Sequence, residues 1–377
     1  MIWLAEIFAA LALIGMAQAL AGWALVRRFA AQPRPEPARW PAVSVLKPLH
    51  GDEPLLEDAL ASLCAQNYPA FQVVFGVRDA GDPALAVVAR LRARFPACDI
   101  AVVVDATPHG RNRKVENLIN MFSAARHDVL VIADSDVHAG EQYLRRLVAA
   151  LQAPRVGLVT TPYVGLPARR RLPALLGASG ITHFFLPGAL LARAMGRRDC
   201  LGATMALRRE TLARIGGLDA LVDHLADDNK LGHLVGAQGL DVALAATVPA
   251  TTVGEESLGA LFRHELRWAR TVRSVQPAGY AFSFLTQAIP LGLLAALISE
   301  LSSPGLALLA LAIVVRIMLH YAVRSAFGIR GVAAPWLVPV RDLLGFAVWI
   351  GSFFGRDVHW REQTFLLEAD GQLAMKG

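Results

Sequence analysis

The sequence is poor in cysteine and in charged residues. Its 377 residues include only 3 cysteines, which stand apart from one another, and this excludes a disulfide scaffold and argues against structural zinc. Charged residues make up 18% and hydrophobic residues 55%, whereas soluble domains carry roughly 25% charged residues. A purely soluble globular protein is therefore not expected. Disorder is also excluded, because so apolar a chain has ample surface to bury.

Lysine is scarce as well, so the formal net charge of +6 comes almost entirely from arginine. A basic excess on a membrane protein typically faces anionic lipid. Nucleic-acid binding requires a basic stripe interleaved with stacking aromatic residues, and the sequence has no such stripe. We therefore predict a bilayer partner and no nucleic-acid partner.

The N-terminal segment is a predicted membrane anchor. Residues 2–26 are almost continuously apolar, and about 20 helical residues cross a bilayer core of about 30 Å. A cleaved signal peptide fits less well, because the apolar run is long and no basic segment precedes it. Arg27 and Arg28 follow and predict a cytoplasmic location for this end. We assign residues 1–28 to a transmembrane anchor and 29–42 to a stiff Pro-rich linker.

Residues 43–252 alternate short β-branched runs with helical stretches, which is the pattern of an α/β domain. Near-continuous apolar strands joined by helices predict a mostly parallel, Rossmann-like sheet with both faces covered. Such a sheet binds ligands at the carboxyl ends of its strands. The predicted strands cover residues 43–46, 71–77, 100–104, 129–133 and 156–160, and the predicted helices cover 55–64, 83–95, 115–125 and 142–151. We place a cytosolic catalytic domain at residues 43–276.

The chain becomes membrane-like again over residues 277–356. Three segments there are each about long enough to cross a bilayer. They cover residues 281–298, 305–323 and 336–354. Pro335, Pro339, Arg341 and Asp342 interrupt the third segment, so it is predicted either to span or to form a re-entrant or interfacial helix. The side of the membrane on which the tail, residues 357–377, lies stays open.

A shorter apolar stretch covers residues 181–195 and contains His183. It fits two arrangements. It could lie in the membrane interface near a lipid substrate, or it could be a loop and helix packed on the domain.

Asp134-Ser135-Asp136 directly follows the apolar run 129–133. Both carboxylates are therefore predicted at the ligand-binding edge of the sheet. Two hard oxygen donors suit Mg²⁺ or Mn²⁺, because such an ion takes one or two carboxylates together with phosphate oxygens. The alternative is a capping or turn role.

Two further segments follow predicted strands. Asp79 ends the strand 71–77, where a carboxylate can accept hydrogen bonds from a nucleotide base or ribose, and Asp82 is the better candidate for capping the next helix. Asn112-Arg113-Lys114 begins a helix, whose free N–H groups and lysine could attract a diphosphate.

Asp227 and Asp228 open another predicted helix. Adjacent carboxylates repel each other, which raises the pKa of at least one and suits a general base. The alternative is a pair of acidic residues stabilised by the helix dipole. Residues 263–268 form a basic amphipathic pattern with Trp268, typical of a helix at the lipid surface.

An ordered series of motifs runs over nearly the whole chain. Its members are Val43 to Leu49 with Lys47-Pro48, the Asp79 loop with Asp82-Pro83, Lys114 with Asn117-Leu118, Asp134-Ser135-Asp136, Gly157-Leu158-Val159 with Pro162-Tyr163, Asp227-Asp228, Arg267-Trp268 and Trp360-Arg361. In this order the motifs resemble the ceramide glucosyltransferase family of GT-A inverting glycosyltransferases, similar to families 2 and 21. This group includes bacterial enzymes that glycosylate hopanoid lipids.

The resemblance implies a role for each matching residue. Asp228 would be the catalytic base, and His183, Asp227 and His264 would be acceptor-side or active-site neighbours. Asp134 and Asp136 would hold the divalent metal. The implied nucleotide-sugar contacts are Lys47, Pro48, Asp79, Lys114, Asp134, Arg267 and Trp268.

Two positions depart from the family pattern. The family usually has Gln or Arg where this chain has His264, and animal members lack the second acid, which this chain keeps as Asp136. Donor contacts from His264 and the transfer of metal use from the animal members are therefore open.

The resemblance implies a multi-pass membrane enzyme whose catalytic domain faces the cytoplasm, with a bacterial inner membrane as the expected location. It would move a hexosyl group from a UDP-sugar to the hydroxyl of a membrane lipid. The alternatives are N-acetylglucosaminyl transfer to a hopanoid polyol, transfer to a polyprenyl phosphate, and, in another class, a non-catalytic nucleotide-binding membrane protein or transporter.

Overall fold

The chain forms an α/β domain joined to a bundle of apolar helices. The computed structural model describes residues 2–329, 334–360, 363–368 and 371–375. The helices are α1 (Ile2–Ala30), α2 (Leu56–Cys64), α3 (Ala84–Arg94), α4 (Arg113–Met121), α5 (Tyr143–Leu151), α6 (Leu172–Gly180), α7 (Leu186–Ala194), α8 (Arg209–Arg214), α9 (Asp227–Ala237), α10 (Leu258–Val275), α11 (Pro277–Phe282), α12 (Ala288–Ile298), α13 (Ser303–Phe327) and α14 (Val338–Ser352). The strands are β1 (Val43–Pro48), β2 (Phe71–Val77), β3 (Asp99–Val104), β4 (Val129–Ala133), β5 (Val137–His138), β6 (Val156–Thr160), β7 (Val164–Pro167), β8 (Thr204–Arg208), β9 (Asp241–Leu244), β10 (Ala250–Val253), β11 (Asp357–Trp360), β12 (Gln363–Leu367) and β13 (Leu373–Met375).

The central sheet has the order β3-β2-β1-β4-β8-β6-β9. Neighbouring strands are parallel except at β8, which runs antiparallel to both β4 and β6. The predicted mostly parallel sheet is confirmed, and all five predicted strands are present. Because β8 is reversed, its N-terminal end lies beside the carboxyl end of β4, where Ala133 pairs with Thr204.

Apolar clusters cover both faces of this sheet. In β2 the side chains alternate, so that Phe75 packs into one cluster and Val74 into the other. Every residue of β4 is buried. The central strands are therefore buried on both faces, as their near-continuous apolar runs predict.

Two small sheets flank the central one. In the first, β10 pairs antiparallel with β5 and parallel with β7. In the second, β12 lies between β11 and β13. Backbone hydrogen bonds join this C-terminal sheet to the segment before α9, from Leu373 N to Asp223 O at 3.0 Å and from Leu225 N to Gly371 O at 2.9 Å. In the predicted Trp360-Arg361 motif, Arg361 and the side chain of Trp360 lie outside the described residues.

In the part of the chain that the structure describes, three helical stretches are long and apolar enough to cross a membrane, Ile2–Ala30, Leu172–Ala194 and Ser303–Phe327. The first is the predicted anchor, and its helix extends into the segment predicted as linker. The second joins α6 and α7 through a π-helical turn, Ile181–Phe185. It contains all but the last residue of the predicted stretch 181–195 and is mostly buried within the protein, which favours the packed arrangement.

The remaining two C-terminal segments differ from uninterrupted spans. The predicted segment 281–298 lies in two helical pieces, Pro277–Thr286 and Ala288–Ile298, whose axes are bent by 63° relative to each other. At the last, α14 has 15 residues, or about 22 Å of helix, against a bilayer core of about 30 Å. Arg341 and Asp342 are buried near its start. This favours the re-entrant or interfacial alternative for the last segment.

Candidate functional site

Lys114 lies at the centre of a cluster of acidic residues. Its Nζ is 2.9 Å from Asp134 Oδ1 and 3.0 Å from Asp227 Oδ2. Asn112 positions the lysine, because its side-chain oxygen accepts the backbone N–H groups of Lys114 and Val115 and so caps α4. The predicted helix start at residues 112–114 is confirmed. The lysine brings together the carboxyl end of β4 and the beginning of α9.

The ammonium of Lys114 is stabilised in its charged form. Burial favours the neutral amine, but Asp134 and Asp227 outweigh burial and raise the pKa of Lys114. The Asp134 side chain is 36% exposed, so this carboxylate faces solvent on one side and the lysine on the other. A ligand can therefore reach it.

Asp228 is held by two backbone N–H groups. Gly202 N donates to Oδ2 at 2.7 Å and Asn229 N donates to Oδ1 at 2.7 Å. Burial raises the pKa of Asp228 to about 6, with a further contribution from Asp227, while Lys114 opposes the shift. The predicted rise in the pKa of one member of the pair therefore occurs at Asp228.

The reversed strand β8 accounts for the contact with Gly202. The residues before β8 lie at the carboxyl edge of β4, where Asp134 N donates to Ala203 O at 3.3 Å. A Cβ on Gly202 would lie 2.8 Å from Asp228 Oδ2, which is closer than Cβ atoms approach a neighbour. Glycine at this position is what allows the Asp228 carboxylate to lie against the backbone.

Gly202→Ala is therefore expected to displace the Asp228 carboxylate and to lower by about 10² the rate of a reaction in which Asp228 acts as the base. The variant should fold, because the displaced group is a partly exposed side chain. Gly236→Ala is the matched control, since Gly236 lies on the same helix, α9, and nothing lies within 4 Å of its added Cβ. Steady-state kinetics on both variants tests this, and equal rates would contradict it.

Asp136 belongs to a second buried group. It accepts a hydrogen bond from Thr251 Oγ1 of β10, and its pKa is raised to about 6 by burial and by Asp134. Lys47 is fully buried and donates to Val137 O at 3.2 Å. Burial lowers the pKa of Lys47 to about 8, against the opposing effects of Asp136 and Asp134. The residue after it, Pro48, ends β1.

The acidic motif after β4 was predicted to hold a divalent cation. Among the described residues, no group of three or more His, Cys, Asp or Glu side chains has the arrangement of a complete metal site. Asp134 and Asp136 nevertheless fit an ion of the Mg²⁺ type, because two carboxylates suffice when phosphate oxygens and water complete the coordination. Glu53, which accepts from Ser135 Oγ and was not predicted, adds negative charge next to Asp136.

Tyr163 belongs to one of the sequence motifs, but the sequence analysis assigned it no role in the site. Burial raises the pKa of its phenol, and the charges of Asp228, Asp134 and Asp136 add to the shift, so the ring lies within electrostatic range of all three acids. Its ring packs on Phe185 with centroids 4.6 Å apart. Phe185 ends the π-helical turn, so this contact joins the acidic cluster to the apolar stretch Leu172–Ala194.

Asp79 lies on an exposed loop after β2, and its Oδ1 accepts from Gly81 N at 2.8 Å. Asp82 accepts from Ala84 N at 2.9 Å, which confirms it as the capping residue. Because β1 separates β2 from β4, the Asp79 loop lies about 10 Å from the Asp134 loop. A ligand that contacts both must be extended along the edge of the sheet.

The loop between β3 and α4 is organised by an ion pair that was not predicted. Arg78 pairs with the buried Glu116. Glu116 also accepts from His109 N at 2.9 Å and Gly110 N at 3.1 Å. The backbone beside Asp79 and before Lys114 is thus held by one carboxylate.

Arg267, Trp268 and His264 form a separate group on α10. The His264 ring donates to Glu255 and packs edge-on against Trp268 with centroids 4.4 Å apart. Burial lowers the pKa of Arg267 to about 10, with Glu255 acting in the opposite direction. Glu255, which was not predicted, is therefore the acidic partner of this group.

His183 lies among the apolar helices. It is buried in the π-helical turn, and its ring is 4.0 Å from that of His320 on α13. Its carbonyl accepts from Arg316 at 3.3 Å, and Arg316 pairs with Asp342 of α14 at 2.6 Å. These contacts place His183 between helices, two residues before the ring of Phe185 that reaches Tyr163.

Two ceramide glucosyltransferases are similar to this chain in sequence. The ceramide glucosyltransferase of Candida albicans is 31% identical over 121 residues, covering 29% of this chain and 22% of that protein. Ceramide glucosyltransferase 3 of Caenorhabditis elegans is 22% identical over 354 residues, which cover 90% of this chain and 75% of that protein. The chain thus spans less than a quarter of the length of the fungal relative.

Among solved structures, the mannosyltransferase PcManGT from Pyrobaculum calidifontis, in complex with GDP-Man and Mn²⁺, matches with a TM-score of 0.59 at 21% identity, covering 93% of this chain and 99% of that one. This likeness confirms the predicted GT-A fold. The sequence profile of glycosyl transferase family 21 matches residues 7–373. The chain therefore belongs to glycosyl transferase family 21.

Proposed function

We propose that the protein transfers a hexosyl group from a UDP-sugar to the hydroxyl of a membrane lipid, with inversion at the anomeric carbon and with ceramide as the acceptor. The observation that carries this proposal is the convergence of Asp134 and Asp227 on Lys114, with Asp228 beside them. The cluster lies at the carboxyl edge of the sheet and is joined through Tyr163 and Phe185 to an apolar helix. A polar reaction centre in contact with an apolar helical segment suits this chemistry.

The donor would lie along the edge of the sheet. The exposed carboxylate of Asp79 would accept hydrogen bonds from the uridine, and the diphosphate would lie near Lys114 and Asp134. Asp134 and Asp136 would hold a divalent cation, and that ion supplies positive charge to the leaving diphosphate. PcManGT, which has a related fold, was solved with Mn²⁺ and a nucleotide sugar.

Asp228 would act as the general base. It accepts the acceptor's hydroxyl proton as that oxygen forms a bond to the anomeric carbon and the bond from that carbon to the diphosphate oxygen breaks. Attack from the face opposite UDP inverts the configuration in one displacement. The backbone N–H groups of Gly202 and Asn229 hold the carboxylate in place, so little reorganisation is needed.

The acceptor is proposed to approach from the apolar helices. Ceramide is supported by the relatives, which are ceramide glucosyltransferases from a yeast and a nematode. A hopanoid polyol with UDP-N-acetylglucosamine is the alternative pair. Arg27 and Arg28 at the end of α1 support a cytoplasmic location of the catalytic domain.

Transfer should depend on pH through Asp228. Only the ionised carboxylate accepts a proton, and its pKa is raised to about 6. We therefore expect kcat/KM to rise with pH up to about 6 and then level off, and to fall about tenfold for each unit below that value. Transfer rates and UDP affinity are both measured from pH 4.5 to 8. A rate that falls at low pH while UDP affinity stays constant reflects ionisation of Asp228 and not of the donor-binding residues. A flat profile would exclude Asp228 as the base.

The experiment that tests the proposal uses the full chain in liposomes. UDP-glucose and UDP-N-acetylglucosamine are each offered with ceramide or a hopanoid polyol, with and without Mn²⁺ or Mg²⁺, and products are identified by mass spectrometry. Glucosylceramide as the product supports the proposal. A glycosylated hopanoid as the product would show that the acceptor is a hopanoid and not ceramide. If no donor is consumed in any combination, the protein is better described as a nucleotide-binding membrane protein.

A further inference from the structure

A groove separates the C-terminal ends of α1 and α13. Its volume is about 650 Å³, within the range of small-molecule sites, which is about 300–1,000 Å³. The lining residues are Trp23, Arg27, Ala30, Ala31, Met318, Tyr321, Ala322, Ser325 and Ala326. None of them belongs to the acidic cluster or to the α10 group, so the groove is distinct from the glycosyl-transfer site.

The groove lies at the C-terminal ends of two helices that could cross a membrane. Both helices are long and apolar enough to cross a bilayer. They run in the same direction, because the last turns of both line the groove and Phe29 packs against Phe327 with ring centroids 6.3 Å apart. Trp23 and Tyr321, residue types that concentrate at the membrane interface, lie about two turns before the ends of their helices.

The open edge of the groove carries positive charge. The Arg27 guanidinium lies 5.2 Å from the centre of the Trp23 ring and is exposed. Among the residues that the structure describes, neither Arg27 nor the adjacent Arg28 forms an ion pair. The described residues that line the groove include no carboxylate. An anion placed here would meet uncompensated arginine.

The wall of the groove is apolar. Met318 is 49% exposed and Tyr321 is 53% exposed. Ala322 and Ala326 continue the same face of α13 with small side chains, which leave room beside the helix. The groove thus combines a basic, partly aromatic rim with a narrow apolar channel along a membrane helix.

We propose that this groove binds one anionic phospholipid, with its phosphate at Arg27 and Ser325 and one acyl chain along Met318, Ala322 and Ala326. A basic pocket between membrane helices is suited to an anionic headgroup. The proposed glycosyl acceptors are neutral and would leave the arginine without a partner. This inference concerns lipid binding and does not rest on the proposed reaction.

The test measures lipid retention by native mass spectrometry of the full chain released from nanodiscs that contain phosphatidylglycerol and phosphatidylcholine. Arg27→Gln should lower phosphatidylglycerol retention about tenfold, because a hydrogen bond to a charged group is lost. Ala322→Phe should lower retention of the same lipid by filling the channel while keeping the charge. Arg28→Gln is the control, since Arg28 is exposed on the neighbouring turn and does not line the groove.

Loss of retention in the first two variants and its preservation in Arg28→Gln supports the site. Equal retention of the two lipids by the unmodified protein overturns it. So does an equal loss in Arg28→Gln, which would indicate only a general surface charge. Displacement of the lipid by millimolar glycerol phosphate would overturn it as well, because a soluble phosphate lacks the acyl chain that the channel requires. Size-exclusion chromatography verifies that each variant is folded.

Discussion

Asp228→Asn is expected to lower the turnover number for glycosyl transfer by about 10²–10⁴ while UDP affinity changes by less than about twofold. The amide cannot take the acceptor's proton. The donor contacts proposed here involve Asp79, Lys114 and Asp134 and do not use Asp228, so binding of UDP should persist. Single-turnover kinetics with UDP-glucose and calorimetric titration with UDP measure the two quantities separately.

The design includes two comparisons. The Asp228 carboxylate accepts hydrogen bonds from two backbone N–H groups, and in Asp228→Asn an amide nitrogen faces one of them. Because the loss of that hydrogen bond can lower stability, a thermal melt must accompany the kinetics. Asp219→Asn is the matched control, because Asp219 is an exposed carboxylate shortly before α9. Nearly full activity in Asp228→Asn would remove this residue from the base role. A parallel loss in Asp219→Asn would indicate a general effect of charge.

The central strands could be predicted because they are apolar and rich in β-branched residues. Residues 129–133 read Val-Leu-Val-Ile-Ala, and β4 covers the same residues. The strands β8 and β9 were not predicted. β8 reads Thr-Met-Ala-Leu-Arg, which has no run of β-branched residues and is equally compatible with a helix by periodicity. Its burial between β4 and β6 determines its structure, and that is a tertiary effect.

The missed strand is the reason the environment of Asp228 could not be predicted. Sequence reasoning placed Asp134 at the end of a strand and Asp228 at the start of a helix, and both positions are correct. The residue pattern alone does not bring the two together, and only the family resemblance implied that they share one site, because their proximity depends on the reversed direction of β8, which places Gly202 between them. An isolated glycine before an unrecognised strand gives no indication of such a contact.

The membrane helices show the same limit. Apolar length predicted the first segment and the segment within α13, and both are helices able to cross a bilayer. Residues 172–180 were not assigned to a membrane helix, and the stretch 181–195 that follows them is too short to cross a bilayer by itself. The structure joins them to α7 through a π-helical turn. Such a turn accommodates one extra residue, which a periodicity of 3.6 residues does not anticipate.

Lys114→Met is expected to impair both stability and donor binding, in contrast to Asp228→Asn. Removing the ammonium leaves Asp134 and Asp227 facing each other without compensation. Breaking a buried ion pair costs about 3–5 kcal/mol, and the partial exposure of Asp134 places the loss here at the lower end, about 3 kcal/mol. UDP affinity should fall at least about tenfold, because two unpaired carboxylates repel a diphosphate.

Lys230→Met is the control, since Lys230 lies on α9 close in sequence to Asp227 and forms no ion pair among the described residues. Lys114→Arg tests geometry, because arginine keeps the positive charge but places it on a longer, planar group. We expect the arginine variant to recover most of the melting temperature and only part of the UDP affinity. Thermal melts in detergent and UDP titrations on the three variants distinguish a structural lysine from one that also binds the donor. If Lys114→Met kept the UDP affinity of the unmodified protein while melting at a lower temperature, Lys114 would serve only to hold α9 against β4, and the diphosphate would have to bind elsewhere along the sheet edge.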